Sequence, residues 1–579
     1  MSAKGLQHTC LEYLLELKAP SRLGAQDASL FAAHPDGEKR AQKLLGWARL
    51  CSNPPYPINE IKRQAQTIRA EGLEGVVLIG QGGSSQAAMT ITKLSEVNGE
   101  SDVAFRTMDS LSPVFVDHIL SSSDPAKTLY IVASKSGSTI EPLMLERVAW
   151  QYASDYLGES AASRHFVAIT DPGSELEELA HNKGYRLVFS TPVDVGGRFS
   201  ALTAFALFPA ALVGIDIELV VSEALKTENA CKRDDPDNPA LKLACFLYDA
   251  YLEGRDKFSL VLPPSSQVFG LWVEQLVAES LGKEGRGILP NIEADASILS
   301  TPRADRSTIT YLIGSNEGFM ESIANIDASI PILSYMIEGP TEAFSRFVIW
   351  EYAITLLSLL LEVFPFDQPD VEITKRLVHE LLKQREATSK PLDEQLGQKI
   401  CSFDDYHEIE FDSGIISSMG VSKTLLGEAS TDPDLILRCL FGALQAGDYF
   451  SLNAFLPFRD YGRREALERM RNRVASRLGV VSCLEIGPRY LHSTGQFHKG
   501  GPNTGVFLLL SADEDNDISI PGADFSLGVL AETQAKGDFA ALASRGRRVV
   551  HMHLSGNDSE TLSHFADRVC AAISATISC

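Results

Sequence analysis

Two short stretches of this 579-residue chain join glycine to clustered hydroxyls: GQGGSS at Gly80–Ser85 and SKSGST at Ser134–Thr139. Glycine lets an anion approach the main chain, and free N–H groups at a helix start carry the positive end of the helix dipole. Gly83, Ser84 and Ser85 in the first stretch, and Ser134, Ser136, Ser138 and Thr139 in the second, supply donors that wrap phosphate oxygens through neutral hydrogen bonds. A third stretch, DVGGRFSALTAF, sets Arg198 behind Gly196 and Gly197 and ahead of an apolar run. Those glycines allow close approach, and arginine brings a charge that never titrates away. The chemistry is recognition of a phosphorylated small molecule. Each stretch also has a plainer reading: a glycine turn with no ligand, a Ser/Thr N-cap, a surface arginine.

A dinucleotide fingerprint is the rival for the first stretch. G-x-G-x-x-G counted from Gly80 needs glycine at 85, where Ser85 stands. No acidic residue obviously closes a ribose site about 20 residues later, although Asp102 and Asp109 are nearby.

The elements that position these residues alternate. VVLIG leads into the first loop as a buried strand, and QAAMTITKL continues as a helix. Strands at DVAFRTMD, TLYIVAS, HFVAIT and YRLVFS, spaced by helices, imply βαβ units and a covered parallel sheet. FSLVLPP, STITYLIG and IPILSYMI, with the helix FGLWVEQLVAESLGKE, indicate a second α/β unit. After a linker at Lys390–Asp405, DYFSLNAFLP, VVSCLEIG, GVFLLLSA and RRVVHMHLS read as a small split βαβ sandwich. The fold class is therefore α/β: two doubly wound parallel-sheet domains plus a smaller C-terminal α/β unit. Expected boundaries are an N-terminal helical segment at 1–50, with amphipathic stretches LEYLLELKAP and KRAQKLLGWARL, then domains at 51–225, 226–400 and 401–579.

A net charge of −24 argues against nucleic acid or an anionic membrane as partner. An acidic protein holds an anion only through a local cluster of donors. Nine cysteines without a CxxC point to reduced thiols, not to a disulfide framework or a zinc site. Met1–Cys10 lacks an apolar leader core, and the charge-free apolar run near Ala353–Leu361 is too short to span a bilayer. The expectation is a cytoplasmic protein.

GQGGSS, SKSGST, VGGRFS, QLVAESLGKEGRGILP and FPFDQPDVEITK, in this order, resemble the glucose-6-phosphate isomerase family of paired sugar-isomerase domains. The tail GPRYLHSTGQFHKGGPNTGVFLLL is similar to the isomerase part of bifunctional transaldolase/glucose-6-phosphate isomerases, and no transaldolase part is expected here. The resemblance implies an aldose–ketose isomerase working through an enediol, with a sugar phosphate as its small-molecule partner and neither cofactor nor metal. It implies that Ser84, Ser136 and Thr139 grip the phosphate, with serine at 136 and 138 where the common pattern has threonine. Arg198 then stabilises the enediolate. Glu279 shuttles the proton between C2 and C1, a task suited to a partly buried carboxyl of raised pKa. Gln368 and Lys375 contact the substrate and assist ring opening. By composition alone, Glu279 fits a solvated helix face, beside Glu274 and Glu284, and Lys375 a helix-surface lysine.

The histidine departs from the family pattern. Compact bacterial members carry D-L-H-S-x-G-Q soon after the glutamate helix, where this chain reads NIEADASILSTPRADRSTIT without a histidine. LHSTGQ returns at Leu491–Gln496, so His492 is expected to be the ring-opening acid/base, with His498 its near competitor. His551 and His553 share one face of a strand and are taken as strand residues. The other readings are an isomerase for mannose 6-phosphate or a C6-sulfonated sugar, and a non-catalytic sugar-phosphate sensor; an aminosugar synthase would need an N-terminal cysteine-nucleophile domain. A homodimer whose partner supplies the histidine stays open.

Overall fold

Val76–Ile79 is wholly buried. Four consecutive apolar residues fit a strand covered on both faces, and they form the centre of β1 (Gly75–Gly80). The computed structural model describes residues 9–577 except 98, 100, 294, 314–316, 338, 379–405, 411–414, 423, 426–431, 459 and 515. The expected linker at Lys390–Asp405 lies outside the described residues.

The chain divides into two units. Met1–Asp109 and Ile119–Asp367 form the first; Ser110–His118 and Gln368–Cys579 form the second. In the first unit, β1 pairs with β2 (Ala104–Met108) and β3 (Thr128–Ala133), and the sheet continues through β4 (Phe166–Thr170) and β5 (Leu187–Ser190). The order is β2-β1-β3-β4-β5, all parallel. A second parallel sheet holds β6 (Lys257–Val261), β7 (Leu289–Glu293), β8 (Arg306–Ile313) and β9 (Ile332–Ile337) in the order β7-β6-β8-β9. β7 was not expected, because its sequence LPNIE carries proline and asparagine, which strands disfavour.

Both sheets share one apolar core with the helices Ala204–Leu212, Gln267–Leu281 and Pro340–Leu361. Within the last, Glu342–Leu361 is long and apolar enough to cross a membrane, a longer stretch than the charge-free run suggests, and 83% of its most apolar window is buried inside the protein. A helix apolar all round is a core helix when other elements cover it. The N-terminal segment folds as short pieces, among them Cys10–Glu16, Ala19–Gly24 and Gly37–Ala41, in place of two longer amphipathic helices.

The second unit corrects the split βαβ expectation. β12 (Tyr449–Phe455), β13 (Val481–Ile486), β14 (Gly505–Ala512) and β15 (Arg548–Leu554) are mutually parallel, in the order β13-β12-β14-β15. A hairpin of β10 (Tyr406–Glu410) and β11 (Ile416–Ser422) adds antiparallel strands beside β15. Periodicity shows that a strand exists but not which neighbour it takes. The serines and glycine of ISSMGVS also hide β11 from a propensity reading.

Candidate active site

From β1 the chain crosses to β2 on one side and then to β3 on the other. At such a switch point the C-terminal ends of the two strands leave a crevice. Both hydroxyl-rich loops emerge there.

The first loop turns through Gly82–Ser84 into the helix Gln86–Val97. Gly82 has φ 51°, a left-handed conformation that glycine adopts without strain. A Cβ on Gly83 would lie 2.1 Å from the carbonyl oxygen of Gly197, so the first loop and the arginine turn touch backbone to backbone. Ser200 joins them, its Oγ donating to Gly197 O at 2.6 Å and to Gly83 O at 3.4 Å.

The second loop is a hydroxyl cluster. Ser134 Oγ donates to Thr139 Oγ1 at 3.1 Å, Ser136 Oγ lies 3.4 Å from Thr139 Oγ1, and Ser138 Oγ donates to Ser136 Oγ at 3.3 Å. Thr139 stands at the N-cap of the helix Ile140–Leu157, yet its side chain makes no capping bond. The plain capping role is therefore not what its hydroxyl does. Lys135 turns aside: its Nζ bonds Asp171 and donates to Pro192 O at 2.8 Å, bracing the loop against its neighbours.

Arg198 is buried rather than on the surface. Phe199, next to it, packs against Trp47 at 5.1 Å and Phe366 at 5.5 Å, which fixes the turn. Nε of Arg198 donates to Ser280 Oγ at 2.9 Å, Nη1 to Glu279 Oε2 at 3.3 Å, and Nη2 to the carbonyls of Pro365 and Asp367. Burial draws its pKa below the usual arginine value, opposed by Glu279 and Asp367.

Glu279 is likewise buried, which overturns the solvated-face alternative; Glu274 is buried too. The helix Gln267–Leu281 lies so close to its sheet that a Cβ on Gly270 would meet Leu262 at 2.9 Å and Ile292 at 3.0 Å. Its Gln275, one turn earlier, donates to Glu279 Oε2 at 3.2 Å. The carboxylate thus faces a guanidinium and an amide at the end of a rigid helix.

In the second unit, Gln368 and Lys375 lie on one segment and His492 on another. Lys375 is exposed, its Nζ 2.8 Å from Glu372 Oε1. The composition reading of Lys375 as a surface lysine matches this placement. His492 ends a short turn, Arg489–His492, and is half-buried. His498 is enclosed by Tyr449, Tyr490 and Phe507, with Nδ1 3.0 Å from Tyr449 Oη. Burial, with Lys499 and Arg547 nearby, holds its pKa well below the ordinary histidine value. Of the two histidines, His492 is the one with an exposed part. The two segments meet where Asp370 N donates to Gln496 Oε1 at 2.9 Å and Gln496 Nε2 donates to Asp370 Oδ2 at 2.7 Å. His551 and His553 share one hydroxyl, Ser511 Oγ, at 2.7 and 2.8 Å. Among the described residues no cluster of His, Cys, Asp and Glu has the form of a metal site.

A model of the phosphoglucose isomerase family matches residues 62–284. The glucose-6-phosphate isomerase of Mycoplasmopsis pulmonis is 28% identical over 396 residues, 59% of this chain and 91% of that protein. That of Fusobacterium nucleatum is 29% identical over 406 residues, 61% and 90% respectively. Residues 62–284 thus match a phosphoglucose isomerase domain, and about three fifths of the chain is similar to glucose-6-phosphate isomerases. The fold agrees: a glucose-6-phosphate isomerase structure from Chlamydia trachomatis aligns with TM-score 0.51 at 18% identity, over 68% of this chain and 89% of that one. A hypothetical protein from Thermus thermophilus aligns with TM-score 0.53 at 24% identity, over 64% and 96%.

That similarity supports a sugar-phosphate isomerase. The matched span holds both hydroxyl loops, Arg198 and Glu279, and ends before Gln368, Lys375 and His492. Sequence reasoning passed over Lys283 and Asp367. Lys283 Nζ donates to Phe364 O at 2.6 Å and to Asp367 Oδ1 at 2.8 Å. Burial and Arg198 push its pKa down to about 7, against the pull of Asp367 and Glu279. Burial works upward on Asp367, but Lys283 and Arg40 hold its carboxyl below the ordinary value. The signal was a lysine at the end of an apolar helix, in ESLGKE, where a solvated cation is not expected.

Proposed function

We propose that this chain interconverts glucose 6-phosphate and fructose 6-phosphate through a cis-enediol. The observation that carries the reading is the buried pair of Arg198 and Glu279 in the same unit as the two hydroxyl loops. The loops hold the phosphate through N–H and hydroxyl donors, which suits a protein of net negative charge. With the sugar ring open, Glu279 takes the proton from C2 and returns it to C1, while a proton moves between the two oxygens. The Arg198 guanidinium faces the enediolate oxygen as its charge develops, where a preorganised donor stabilises the transition state most. His492, Lys375 and Gln368 act earlier, in opening the ring. On this reading the enzyme serves central sugar metabolism in the cytoplasm. A sensor that only binds the sugar phosphate would have no use for a carboxylate and guanidinium buried face to face.

Turnover of glucose 6-phosphate by the wild type and by Glu279→Gln tests this. Wild-type turnover that falls about 10²–10⁴-fold in the variant, with binding retained, supports the proton shuttle. Binding without turnover in the wild type gives the sensor; turnover of mannose 6-phosphate alone gives a related isomerase.

A further inference from the structure

We propose that Asp370 and Gln496 are positioning residues that lock the ring-opening groups into register, an inference that rests on the isomerase reading. His492 and the pair Gln368 and Lys375 come from segments more than a hundred residues apart. What joins those segments is a two-point pairing in which each partner uses a donor and an acceptor. Gln496 accepts from Asp370 N at 2.9 Å and donates to Asp370 Oδ2 at 2.7 Å, and Arg545 neutralises the remaining carboxylate oxygen. Gln496 is fully buried and Asp370 nearly so. A reciprocal pair in a dry setting fixes orientation as well as distance, and breaking one half leaves a buried polar group unsatisfied.

A second bracket flanks the first. Asp538 accepts from Tyr490 Oη at 2.8 Å and from Thr374 Oγ1 at 3.4 Å, and pairs with the buried Lys499. His492 therefore sits between Tyr490 and Gln496, both anchored. Lys375 directly follows Thr374, and Gln368 lies two residues before Asp370. The chain can span only about 3.5 Å per residue, so a shift at either bracket is passed to those groups almost undiminished. Misplacement of about 1 Å costs on the order of 10²-fold in rate.

The test is a charge-swapped pairing. In Gln496→Glu a carboxylate confronts Asp370; in the double variant Gln496→Glu with Asp370→Asn, Glu accepts from both the backbone N–H and the new amide, so the complementarity returns. Expected for glucose 6-phosphate are a fall in kcat of about 30-fold or more for Gln496→Glu, KM within about threefold, and recovery by the double variant to within about threefold of wild type. Additive losses in the double variant overturn the proposal. So does a lowered melting temperature with unchanged kcat, which is a merely structural role. A wild type that turns nothing over overturns the underlying isomerase reading, and is recognised before any substitution is made.

Discussion

Arg198 donates from Nη1 to Glu279 Oε2 at 3.3 Å across 81 positions of sequence, with both side chains buried. Neither element dictates the other: one is a glycine turn after β5, the other the end of a helix that follows β6. A buried ion pair adds little net stability, but removing one member leaves an uncompensated charge at a cost of about 3–5 kcal/mol.

Arg198→Lys tests the guanidinium. A lysine keeps the charge but cannot reach Ser280, Glu279 and the carbonyls of Pro365 and Asp367 at once. Steady-state kinetics with glucose 6-phosphate should show kcat lower by about 10²–10³-fold, the scale of a lost oxyanion donor. An unchanged kcat would remove the guanidinium from the transition state.

Gly83→Ala probes the contact between two loops. Its Cβ would stand 2.1 Å from Gly197 O and 2.8 Å from Arg198 N, both backbone atoms that cannot swing aside. A loss of about 1–3 kcal/mol in denaturant unfolding is expected from such overpacking, together with a raised KM for the phosphorylated sugar. Wild-type stability and KM would mean that the turn at Gly197 yields freely.

Lys283 gives a pH signature. Its folded pKa, about 7, lies below the unfolded lysine value of about 10.4. Between those values the unfolded chain binds more protons, so this group's contribution to stability rises with pH, by up to about 1.4 kcal/mol per unit. Unfolding midpoints from pH 6 to 9 should climb less steeply in Lys283→Met than in wild type. Parallel curves would mean that Asp367 keeps the ammonium charged throughout.

The two histidines predict opposite outcomes. His492→Asn should lower kcat by about 10²-fold and leave the melting temperature nearly unchanged, since the ring is only half-buried. His498→Asn should lower stability by about 2–4 kcal/mol, because it leaves a void in an enclosed aromatic site and removes the imidazole contact to Tyr449 Oη. Thermal melts and turnover of both variants check this. Loss of turnover confined to a still-folded His498→Asn would reverse the assignment.

The sequence by itself determined the two parallel-sheet domains, since buried strands and intervening helices are written in composition and period. It also marked the glycine–hydroxyl loops and Arg198, because glycine and arginine in an apolar setting are chemically conspicuous. Tertiary structure decided the rest. Whether Thr139 caps its helix or joins a hydroxyl cluster depends on a rotamer, and whether Glu279 faces water depends on which sheet its helix packs against. The roles of Lys283 and Asp370 were invisible for the same reason: burial and partnership are properties of contacts between distant segments. The strand order in the second unit was equally out of reach, because periodicity records that a strand is covered but not by which neighbour.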